Sequence, residues 1–352
     1  MKISHNATAR TLRTSGKGIE RALERMLAKR AKGSTARLYT MLMYFLGFLD
    51  TELKKNTSRV SAKRFRSSLC LFLAEAYGAR EKAFDAALAI ELFHNFTLIH
   101  DDVEDRDEMR RGRPTLWKMW GINHAINSGD LQSLLVAELC VHVAQTPHVG
   151  KELADTLLSA FIEVIEGQYL DFELTDSAIH TRSVTEKQYL VMTQKKSGAL
   201  VRVAAEAAGI AAKKNTKEKK YLRDYGLALG TAFQIADDYR SVWATEAQTG
   251  KDRYSDIREH KRTLPFFAAR SLATRTARVR LESLYSLPRQ LTDAEVAEAL
   301  SILDATSARE YVLATIQTYA KRARFAAARL SLPTNTLFLL VNFVDMLVSE
   351  NS

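Results

Sequence analysis

Residues 92–105 of this chain read LFHNFTLIHDDVED, an apolar helical stretch whose end carries three aspartates and one glutamate. Carboxylates at the end of an otherwise apolar segment are costly unless a cation or a hydrogen-bonding ligand compensates them. On a helix, positions i, i+1 and i+4 share one side, so Asp101, Asp102 and Asp105 aim at one point. We name these three residues the first acidic cluster. The pattern predicts a site for a hard divalent cation such as Mg²⁺, which takes oxygen ligands.

A second acidic cluster, formed by Asp237 and Asp238, follows another apolar stretch, GLALGTAFQIA at 226–236. Two such clusters suit several Mg²⁺ ions that share their remaining ligand positions with phosphate groups. Ser241 stands where a third carboxylate would complete the symmetry with the first acidic cluster. We therefore expect weaker metal affinity at the second acidic cluster.

The composition predicts a helical protein. Its 352 residues include only five prolines, which punctuate long stretches rich in Ala, Leu, Glu, Lys and Arg. These residues favour helices, and few stretches alternate with the period of a strand. No long linker rich in Pro, Gly or Ser divides the chain, so we expect a large single-domain antiparallel helical bundle. The predicted helices cover residues 17–31, 36–55, 61–77, 81–105, 123–145, 150–173, 185–210, 216–243, 263–285, 292–304, 308–330 and 334–349.

Positive charge is concentrated at the start of the chain. Residues 1–37 hold ten Lys and Arg against two Glu, a net +8 out of +10 for the whole chain. This segment has no aromatic residue, which argues against nucleic-acid binding. The predicted organisation is a basic arm with the start of the first helix at 1–35 and a catalytic domain at 36–352. A solvated arm is the plain interpretation, and contact with an anionic membrane or a transit peptide are the alternatives.

The apolar runs and the cysteines of the sequence bear on the cellular location of the protein. No run of 18 apolar residues occurs, so no membrane span is expected. Cys70 and Cys140 lie in apolar helical segments without a partner at metal-ligand spacing. They predict buried thiols in a reducing compartment, and we expect a cytoplasmic protein.

Basic residues accompany the first acidic cluster. Arg110 and Arg111 open the sequence RRGRP, one or two turns after the carboxylates. A guanidinium group is a planar fork that binds phosphate oxygens in pairs, so this arrangement can hold a phosphate between metal and arginine. Upstream, Lys63 and Arg66 share one helical face at i, i+3. Polar connections at 106–122 and 245–262 each follow an acidic cluster, where a lid or substrate clamp would lie.

The order of the motifs is more specific than any one of them. KRxR at 63–66 precedes HNFTLIHDDxxD and RRGRP, followed by GQxxD at 167–171 and KKSGAL at 195–200. FQxxDD at 233–238, GK at 250–251 and SDIREHKRTLP at 255–265 complete the series. In this order the chain resembles the trans-isoprenyl (polyprenyl) diphosphate synthase family over roughly residues 55–270.

The resemblance implies an all-α isoprenoid synthase fold with a deep central apolar pocket between two aspartate-rich helices. It implies a Mg²⁺-dependent prenyltransferase that condenses an allylic diphosphate with isopentenyl diphosphate to a short-chain product, farnesyl to geranylgeranyl diphosphate. The family is commonly dimeric, so a homodimer is expected.

The resemblance also implies roles for individual residues. The Mg²⁺ ligands would be Asp101, Asp102, Asp105, Asp237 and Asp238. The contacts to the allylic diphosphate would be Arg110, Lys196 and Lys251, with Lys261 as a further lid lysine. The isopentenyl diphosphate site would comprise Lys63, Arg66, His94 and Arg111. The reaction centre would be lined by Gln168, Asp171 and Gln234.

Product length in this family is set one turn before the first acidic cluster, at Phe96 and Thr97. A bulky ring at Phe96 should obstruct a long product. Two departures from the family pattern, Ala62 for glycine and Ser67 for proline, leave the cationic groups in place.

Two other functions remain open from the sequence. A terpene cyclase on the same fold would use one diphosphate substrate, and the retained residues of the isopentenyl diphosphate site argue against it. A non-catalytic regulatory subunit of a prenyl synthase would be expected to lose more of the aspartates and arginines than the one position lost at Ser241.

Overall fold

The computed structural model describes residues 10–11, 14–16, 18–56, 64–175, 184–244 and 254–349. Across these residues the chain is almost entirely helical, and the only paired strands form one two-stranded hairpin. The predicted all-α fold is confirmed. The chain forms two compact units, one of residues 1–159 and 203–219 and one of residues 160–202 and 220–352.

In the described part of the first half of the chain, named helices and the hairpin precede the long α7. In chain order the elements are α1 Ile19–Arg30, α2 Ala36–Phe45, α3 Phe65–Ala76, α4 Arg80–Glu104, β1 Met109–Arg110, β2 Arg113–Pro114, α5 Leu116–Trp120, α6 Ile122–Ala144 and α7 Gly150–Thr175.

The described residues of the second half form further helices and a π-helical segment. These elements are α8 Glu186–Thr193, the π-helical segment Gln194–Gly198, α9 Ala199–Ala211, α10 Thr216–Trp243, α11 Ser255–Arg258, α12 Leu264–Leu272, α13 Arg275–Leu284, α14 Asp293–Asp304, α15 Ala308–Ala327 and α16 Thr334–Ser349.

Helix α4 is the centre of the first unit, where it packs against α3 and α6. Its residues from Ala86 to Phe93 are all buried, so the helix is covered on every side rather than along one stripe. It begins two residues after Gly78, whose φ of +72° ends α3 in the left-handed region that glycine tolerates. This burial is what carries the first acidic cluster, at the end of α4, into the interior.

In the second unit, α12 and α15 pack together and α16 packs on α15. Residues Leu264–Ala269 of α12 are all buried. Helix α10 brings the second acidic cluster into this unit, in its last two turns.

Three predicted helices differ from the structure. The segment predicted at 36–55 ends at Phe45, because Gly47 turns the chain with a φ of +83°. The helix predicted from residue 61 is described only from Phe65, after Arg64 in the left-handed region at φ +36°. The segment predicted at 263–285 is two helices, because Thr274 caps a new one by accepting a hydrogen bond from the Ala277 N–H.

Among the described residues, no helix is both long enough and apolar enough to cross a bilayer. Cys70 and Cys140 are free thiols and both are buried, as the sequence predicted. Burial raises the pKa of Cys70 to about 12 and that of Cys140 to about 11.

Candidate active site

The first acidic cluster occupies the last turn of α4 and the residue after it, Asp105. Asp102 is 1% exposed, and its Oδ1 accepts a hydrogen bond of 2.5 Å from Arg110 Nε. Its other oxygen, Oδ2, is buried without a hydrogen-bond partner. Burial raises the pKa of Asp102 to about 6, although the neighbouring Arg110 works against the rise. Asp101 and Asp105 are half-buried.

The hairpin presents the arginine pair to this carboxylate. Strands β1 and β2 pair Arg110 with Arg113, and the two residues between them, Arg111 and Gly112, have φ values of +53° and +72°. Two successive left-handed residues form the tight turn that suits a two-residue hairpin, and Gly112 adopts this conformation without strain. The connection expected to be a loop at 106–122 is therefore an ordered hairpin followed by α5, which fixes Arg110 beside Asp102.

Arg66 and His94, which the family pattern assigns to isopentenyl diphosphate, lie together in the first unit. Arg66 Nη1 is 3.0 Å from His94 Nε2. Because arginine only donates, His94 Nε2 must be the unprotonated, accepting nitrogen. Burial and then the charges of Arg66 and Arg111 hold the pKa of His94 well below its usual range. His94 is therefore neutral at physiological pH.

The arginines of this basic site share a buried counter-charge that the sequence analysis missed. Glu91 is 2% exposed and accepts hydrogen bonds from Arg64, Ser67 and Asn95. Burial lowers the pKa of Arg66 to about 10 and also lowers the pKa of Arg111. The negative charge of Glu91 opposes both of these decreases. Glu91 is one helical turn before His94, so the signal was a carboxylate at i−3 on the same face of α4. Lys63 lies outside the described residues.

The two carboxylates of the second acidic cluster have different surroundings. Asp238 is buried and accepts hydrogen bonds from Tyr189 Oη at 2.5 Å and from Gln234 Nε2 at 2.9 Å. Burial, followed by the negative charge of Asp256, raises the pKa of Asp238 to about 8. Asp237 is exposed and pairs with Arg240 at 2.8 Å.

Ser241, in the place of a third carboxylate, is tied to its own helix. Its hydroxyl donates to the Asp238 carbonyl at 2.8 Å, a contact to residue i−3. Such a bond satisfies the hydroxyl locally. Ser241 thus supplies no charge to the second acidic cluster.

Several predicted site residues of the second unit meet around the π-helical segment. Lys196 Nζ donates to Asp171 Oδ2 at 2.6 Å, and Ser197 Oγ donates to Gln234 Oε1 at 2.5 Å. Gln234 therefore links the π-helical segment to Asp238. Gly167 allows the close approach of α7, since a Cβ at this position would lie 2.2 Å from the Lys196 nitrogen.

The other predicted residues of the second unit are placed as follows. Gln168 is half-buried on α7, next to Gly167. Lys261 follows α11, and its Nζ is 3.2 Å from Glu259 Oε2. Lys251 lies outside the described residues. Tyr189 and Ser197, which complete the hydrogen bonds around Asp238 and Gln234, were missed, although Ser197 stands inside the motif KKSGAL.

Phe96 and Thr97 lie on α4 before the first acidic cluster. Phe96 is buried, with its ring edge-on to His100 at 4.9 Å between centroids and tilted against Phe93 at 5.5 Å. The Thr97 hydroxyl donates to the His94 carbonyl at 2.9 Å. The ring of Phe96 is thus fixed by its neighbours one turn on either side.

The first acidic cluster fits a hard cation in one specific respect. A buried carboxylate oxygen without a donor, as at Asp102 Oδ2, is costly until a cation or proton reaches it. In the part of the chain that the structure describes, no three carboxylate, imidazole or thiol groups converge at metal-ligand distances. Asp102 is instead turned toward Arg110, which supplies the positive charge.

Comparison with known proteins assigns the family. The family model for polyprenyl synthetase matches residues 49–303, more than two thirds of the chain. This chain is a polyprenyl synthetase. The predicted trans-prenyltransferase class is confirmed with the family, whose substrates are isopentenyl and allylic diphosphates.

Curated relatives of this polyprenyl synthetase are named as short-chain enzymes. The chain is 35% identical to the short chain isoprenyl diphosphate synthase of Methanothermobacter thermautotrophicus over 278 residues, which cover 78% of this chain and 83% of that one. It is 37% identical to the farnesyl diphosphate synthase of Mycobacterium tuberculosis, over 64% of this chain and 61% of that one. These relatives agree with the predicted short-chain function.

Solved structures extend the similarity over nearly all of this chain. The geranylgeranyl pyrophosphate synthetase of Pyrococcus horikoshii superposes with a TM-score of 0.82 at 28% identity, covering 97% of this chain and 98% of that one. The polyprenyl synthetase of Streptomyces coelicolor gives a TM-score of 0.83 at 26% identity, over 98% and 99% of the two chains.

Proposed function

We propose that this polyprenyl synthetase condenses an allylic diphosphate with isopentenyl diphosphate to give farnesyl to geranylgeranyl diphosphate. The observation that carries the proposal is the pair of unlike anion sites along α4. His94, with Arg66, offers donors and no carboxylate ligand, whereas Asp102, with Arg110, offers a carboxylate oxygen for a metal ion. Eight residues of helix separate them by about 12 Å. Two unlike diphosphate sites suit an enzyme that joins two diphosphate substrates.

The difficult step is cleavage of the carbon–oxygen bond that leaves an allylic cation and diphosphate. Mg²⁺, held by Asp101, Asp102 and Asp105, would neutralise the charge that develops on the departing diphosphate. Arg110 contributes a guanidinium group fixed beside the same carboxylate. The hairpin holds this arginine in place before substrate arrives, so little reorganisation is needed.

Isopentenyl diphosphate occupies the basic site of Arg66, His94 and Arg111, with Lys63 as a further ligand. The buried Nε of Arg66 lacks a partner and is a donor that a phosphate oxygen satisfies. A neutral His94 keeps its other ring nitrogen as a donor to the same diphosphate. Holding the double bond near the allylic cation replaces a bimolecular search. The departing diphosphate accepts the proton released as the new double bond forms.

The second acidic cluster would hold further metal through Asp237 and Asp238, and Lys196, Lys251 and Lys261 would supply positive charge to the allylic diphosphate. Support comes from the high pKa of Asp238, which marks a carboxylate that gains most from a cation. Gln234, which bonds both Asp238 and Ser197, orients that carboxylate. Gln168 and Asp171 complete the reaction centre, with Asp171 setting the position of Lys196.

Phe96 limits the product to short chains. Its ring is buried five residues before the first acidic cluster and is held between Phe93 and His100. Thr97, the next residue, has its hydroxyl bound to the His94 carbonyl of the same helix. A ring fixed on both sides resists displacement by a growing prenyl chain.

A homodimer is the proposed assembly. Large apolar side chains repeat along the exposed face of α7 in the second unit: Ile162, Ile165, Tyr169 and Phe172. Their spacing of three and four residues is that of a helix–helix seam. In the first unit, Leu134 and Val141 are likewise exposed on α6, two turns apart. Such apolar rows on monomers mark interfaces.

A peripheral contact with anionic membranes is proposed for the basic N-terminus. Ile19, Leu23 and Leu27 bury one face of α1, and Arg21, Arg25 and Lys29 repeat every four residues on its exposed face. A basic helix face is attracted to anionic lipids. The buried free thiols of Cys70 and Cys140 support the expected cytoplasmic location.

Incubation with labelled isopentenyl diphosphate, an allylic diphosphate and Mg²⁺ tests the function. The expected result is incorporation of label into farnesyl or geranylgeranyl diphosphate, identified by chromatography of the dephosphorylated products. A cyclised hydrocarbon formed from the allylic substrate alone would identify a terpene cyclase. No reaction with any starter would leave the regulatory-subunit alternative.

A further inference from the structure

The carboxyl end of α2 is contacted by two arginines from distant parts of the sequence. We name residues Tyr44–Leu49, where α2 ends and Gly47 reverses the chain, the α2 exit turn. The last carbonyls of a helix lack intrahelical partners and carry the negative end of its dipole. In the α2 exit turn, the carbonyls of Tyr44, Leu46 and Leu49 accept hydrogen bonds from arginine side chains.

The first of these arginines is Arg64, which lies two residues before Arg66. Its backbone is in the left-handed region, at φ +36° and ψ +42°, immediately before α3 begins. Its buried side chain donates to Leu46 O at 3.3 Å, to Glu20 at 2.9 Å and to Glu91 at 3.0 Å. These contacts hold the start of α3, and therefore Arg66, in one position against α2 and α4.

The second arginine is Arg113, which lies on β2 opposite Arg110. Its two terminal nitrogens donate to Leu49 O and to Tyr44 O, each at 2.7 Å, and its guanidinium lies 4.5 Å from the centre of the Tyr44 ring. The Tyr44 hydroxyl donates to the Pro114 carbonyl at 2.8 Å. The hairpin that carries Arg110 and Arg111 is thereby fastened to the same α2 exit turn.

We propose that Arg64 and Arg113 are positioning residues that fasten both arginine-bearing segments of the diphosphate sites to the α2 exit turn. The donors of Arg113 named above are taken by backbone carbonyls, and those of Arg64 by a carbonyl and the carboxylates of Glu20 and Glu91, so neither side chain is placed to bind substrate. Through the shared turn they set the spacing between Arg66, on one segment, and Arg110 with Arg111, on the other. The proposal rests on the proposed function, which gives those three arginines their ligands.

The contacts of Arg64 and those of Arg113 with the α2 exit turn predict different effects on substrate binding. Arg64 positions only the isopentenyl diphosphate side, through Arg66. Arg113 positions the hairpin, which carries one arginine for each substrate. Loss of the Arg64 contacts should therefore weaken the binding of isopentenyl diphosphate alone. Loss of the Arg113 contacts should weaken the binding of both substrates.

Arg64→Lys and Arg113→Lys are the variants that separate position from folding. Lysine keeps the positive charge beside Glu91 or over the Tyr44 ring, but its single ammonium cannot reproduce the planar fork to the carbonyls. Arg80→Lys is the matched control, since Arg80 also donates to a carbonyl, Ser15 O at 2.7 Å, and to a carboxylate, Glu75 at 2.9 Å. Its contact with α3 is at Glu75, in the last turn and nine residues after Arg66, so its variant should bind both substrates as the wild type does.

Calorimetric binding of isopentenyl diphosphate to the full chain without metal is the first measurement, because this ligand alone does not react. Each lysine variant should bind about tenfold more weakly, the cost of one misplaced charged hydrogen bond. In steady-state turnover with Mg²⁺, the KM for the allylic diphosphate should stay within about twofold for Arg64→Lys and rise about tenfold for Arg113→Lys. The kcat should fall less than the affected KM rises, and thermal unfolding should show both variants folded.

Unchanged binding and KM values in folded Arg64→Lys and Arg113→Lys would overturn the proposal. The proposal would also be overturned if Arg64→Lys weakened the binding of both substrates equally, since that pattern indicates a general structural defect. Failure of the wild-type protein to bind isopentenyl diphosphate would instead refute the proposed function itself. The three results are distinct because the wild type, the two lysine variants and the control are measured in parallel.

Discussion

Asp102 and Asp238 are carboxylates whose pKa is raised by burial, and the charges beside them differ in sign. Asp102 keeps a strong ion pair with Arg110, so its pKa rises only to about 6. For Asp238, burial and then the negative charge of Asp256 raise the pKa to about 8, although the hydrogen bonds from Tyr189 and Gln234 work against the rise. At neutral pH without metal, the first is largely ionised and the second largely protonated.

Replacement of Asp238 by asparagine should flatten the dependence of stability on pH. The folded wild type holds a proton on Asp238 that the unfolded chain releases above about pH 4, so its free energy of unfolding falls as the pH rises toward about 8. Asp238→Asn lacks this titration. Thermal unfolding without Mg²⁺ across this range should therefore show a smaller decrease in Tm for the variant.

The neighbouring substitution Asp237→Asn is the control for that experiment, since Asp237 is exposed and paired with Arg240. It should keep the wild-type slope of Tm against pH. Equal slopes for Asp238→Asn and the wild type would show that Asp238 is not protonated in the folded protein.

At the scale of the elements, the sequence predicts helix existence well and helix ends poorly. The helix carrying the first acidic cluster was placed to within one residue at each end, because its apolar run is long. The predicted end of α2 lies ten residues too late, because Gly47 turns the chain soon after Phe45. The cap at Thr274 was also overlooked, although threonine before a helical run is a start signal.

The same limit applies to the candidate site. Asp102, Arg110, Lys196 and Asp171 were found from motifs, and the structure pairs them as two ion pairs. Glu91, by contrast, has only a weak sequence signal, its place three residues before His94, because a glutamate in a helical run is ordinary until its burial is known. The partners that tune a site lie on other elements, and a motif reports only residues near one another in sequence.

Phe96, on α4 before the first acidic cluster, is the residue whose substitution should change the product length. Phe96→Ala removes the ring that obstructs the growing chain, so the main product should lengthen by at least one isoprene unit. Loss of a buried ring should also cost about 3–5 kcal/mol of stability. Chromatography of labelled products measures the first effect and thermal unfolding the second.

Phe72→Ala, on α3, is the control for that substitution, since Phe72 and Phe96 are both 9% exposed. It should lower stability without changing the product. An unchanged product profile in folded Phe96→Ala would contradict the assignment of Phe96 as the length-limiting residue.

The close approach of α7 to the π-helical segment predicts a graded effect of two glycine substitutions. A Cβ on Gly167 would lie 2.2 Å from the backbone nitrogen of Lys196, whereas one on Gly198 would first meet the Leu227 side chain at 2.9 Å. Backbone yields less readily than a side-chain end, so Gly167→Ala should cost about 1–3 kcal/mol or more. It should also lower kcat/KM, because Lys196 must shift.

Gly198→Ala should be milder in both Tm and kcat/KM. Equal effects of the two alanine substitutions, or a neutral Gly167→Ala, would show that the contact between α7 and the π-helical segment is not tight.

For the whole molecule, the exposed apolar row on α7 predicts a dimer. Ile162→Glu places a charge in the middle of the seam and should shift the protein from dimer to monomer in analytical ultracentrifugation. Val279→Glu is the matched control, because Val279 on α13 is exposed to a similar degree, 59% against 61% for Ile162. A monomeric wild type, or a dimer that survives Ile162→Glu, would contradict the proposed interface.

The central claim is that the first acidic cluster binds the metal on which prenyl transfer depends. Incorporation of labelled isopentenyl diphosphate into prenyl product, titrated with Mg²⁺ for the wild type and Asp102→Asn, tests it most directly. The amide keeps the size of Asp102 but loses the charge, so the variant should fold and lose at least about a thousandfold in kcat/KM, the scale of about 4 kcal/mol of lost electrostatic stabilisation. Full activity of Asp102→Asn, or incorporation by the wild type without any divalent cation, would contradict the account.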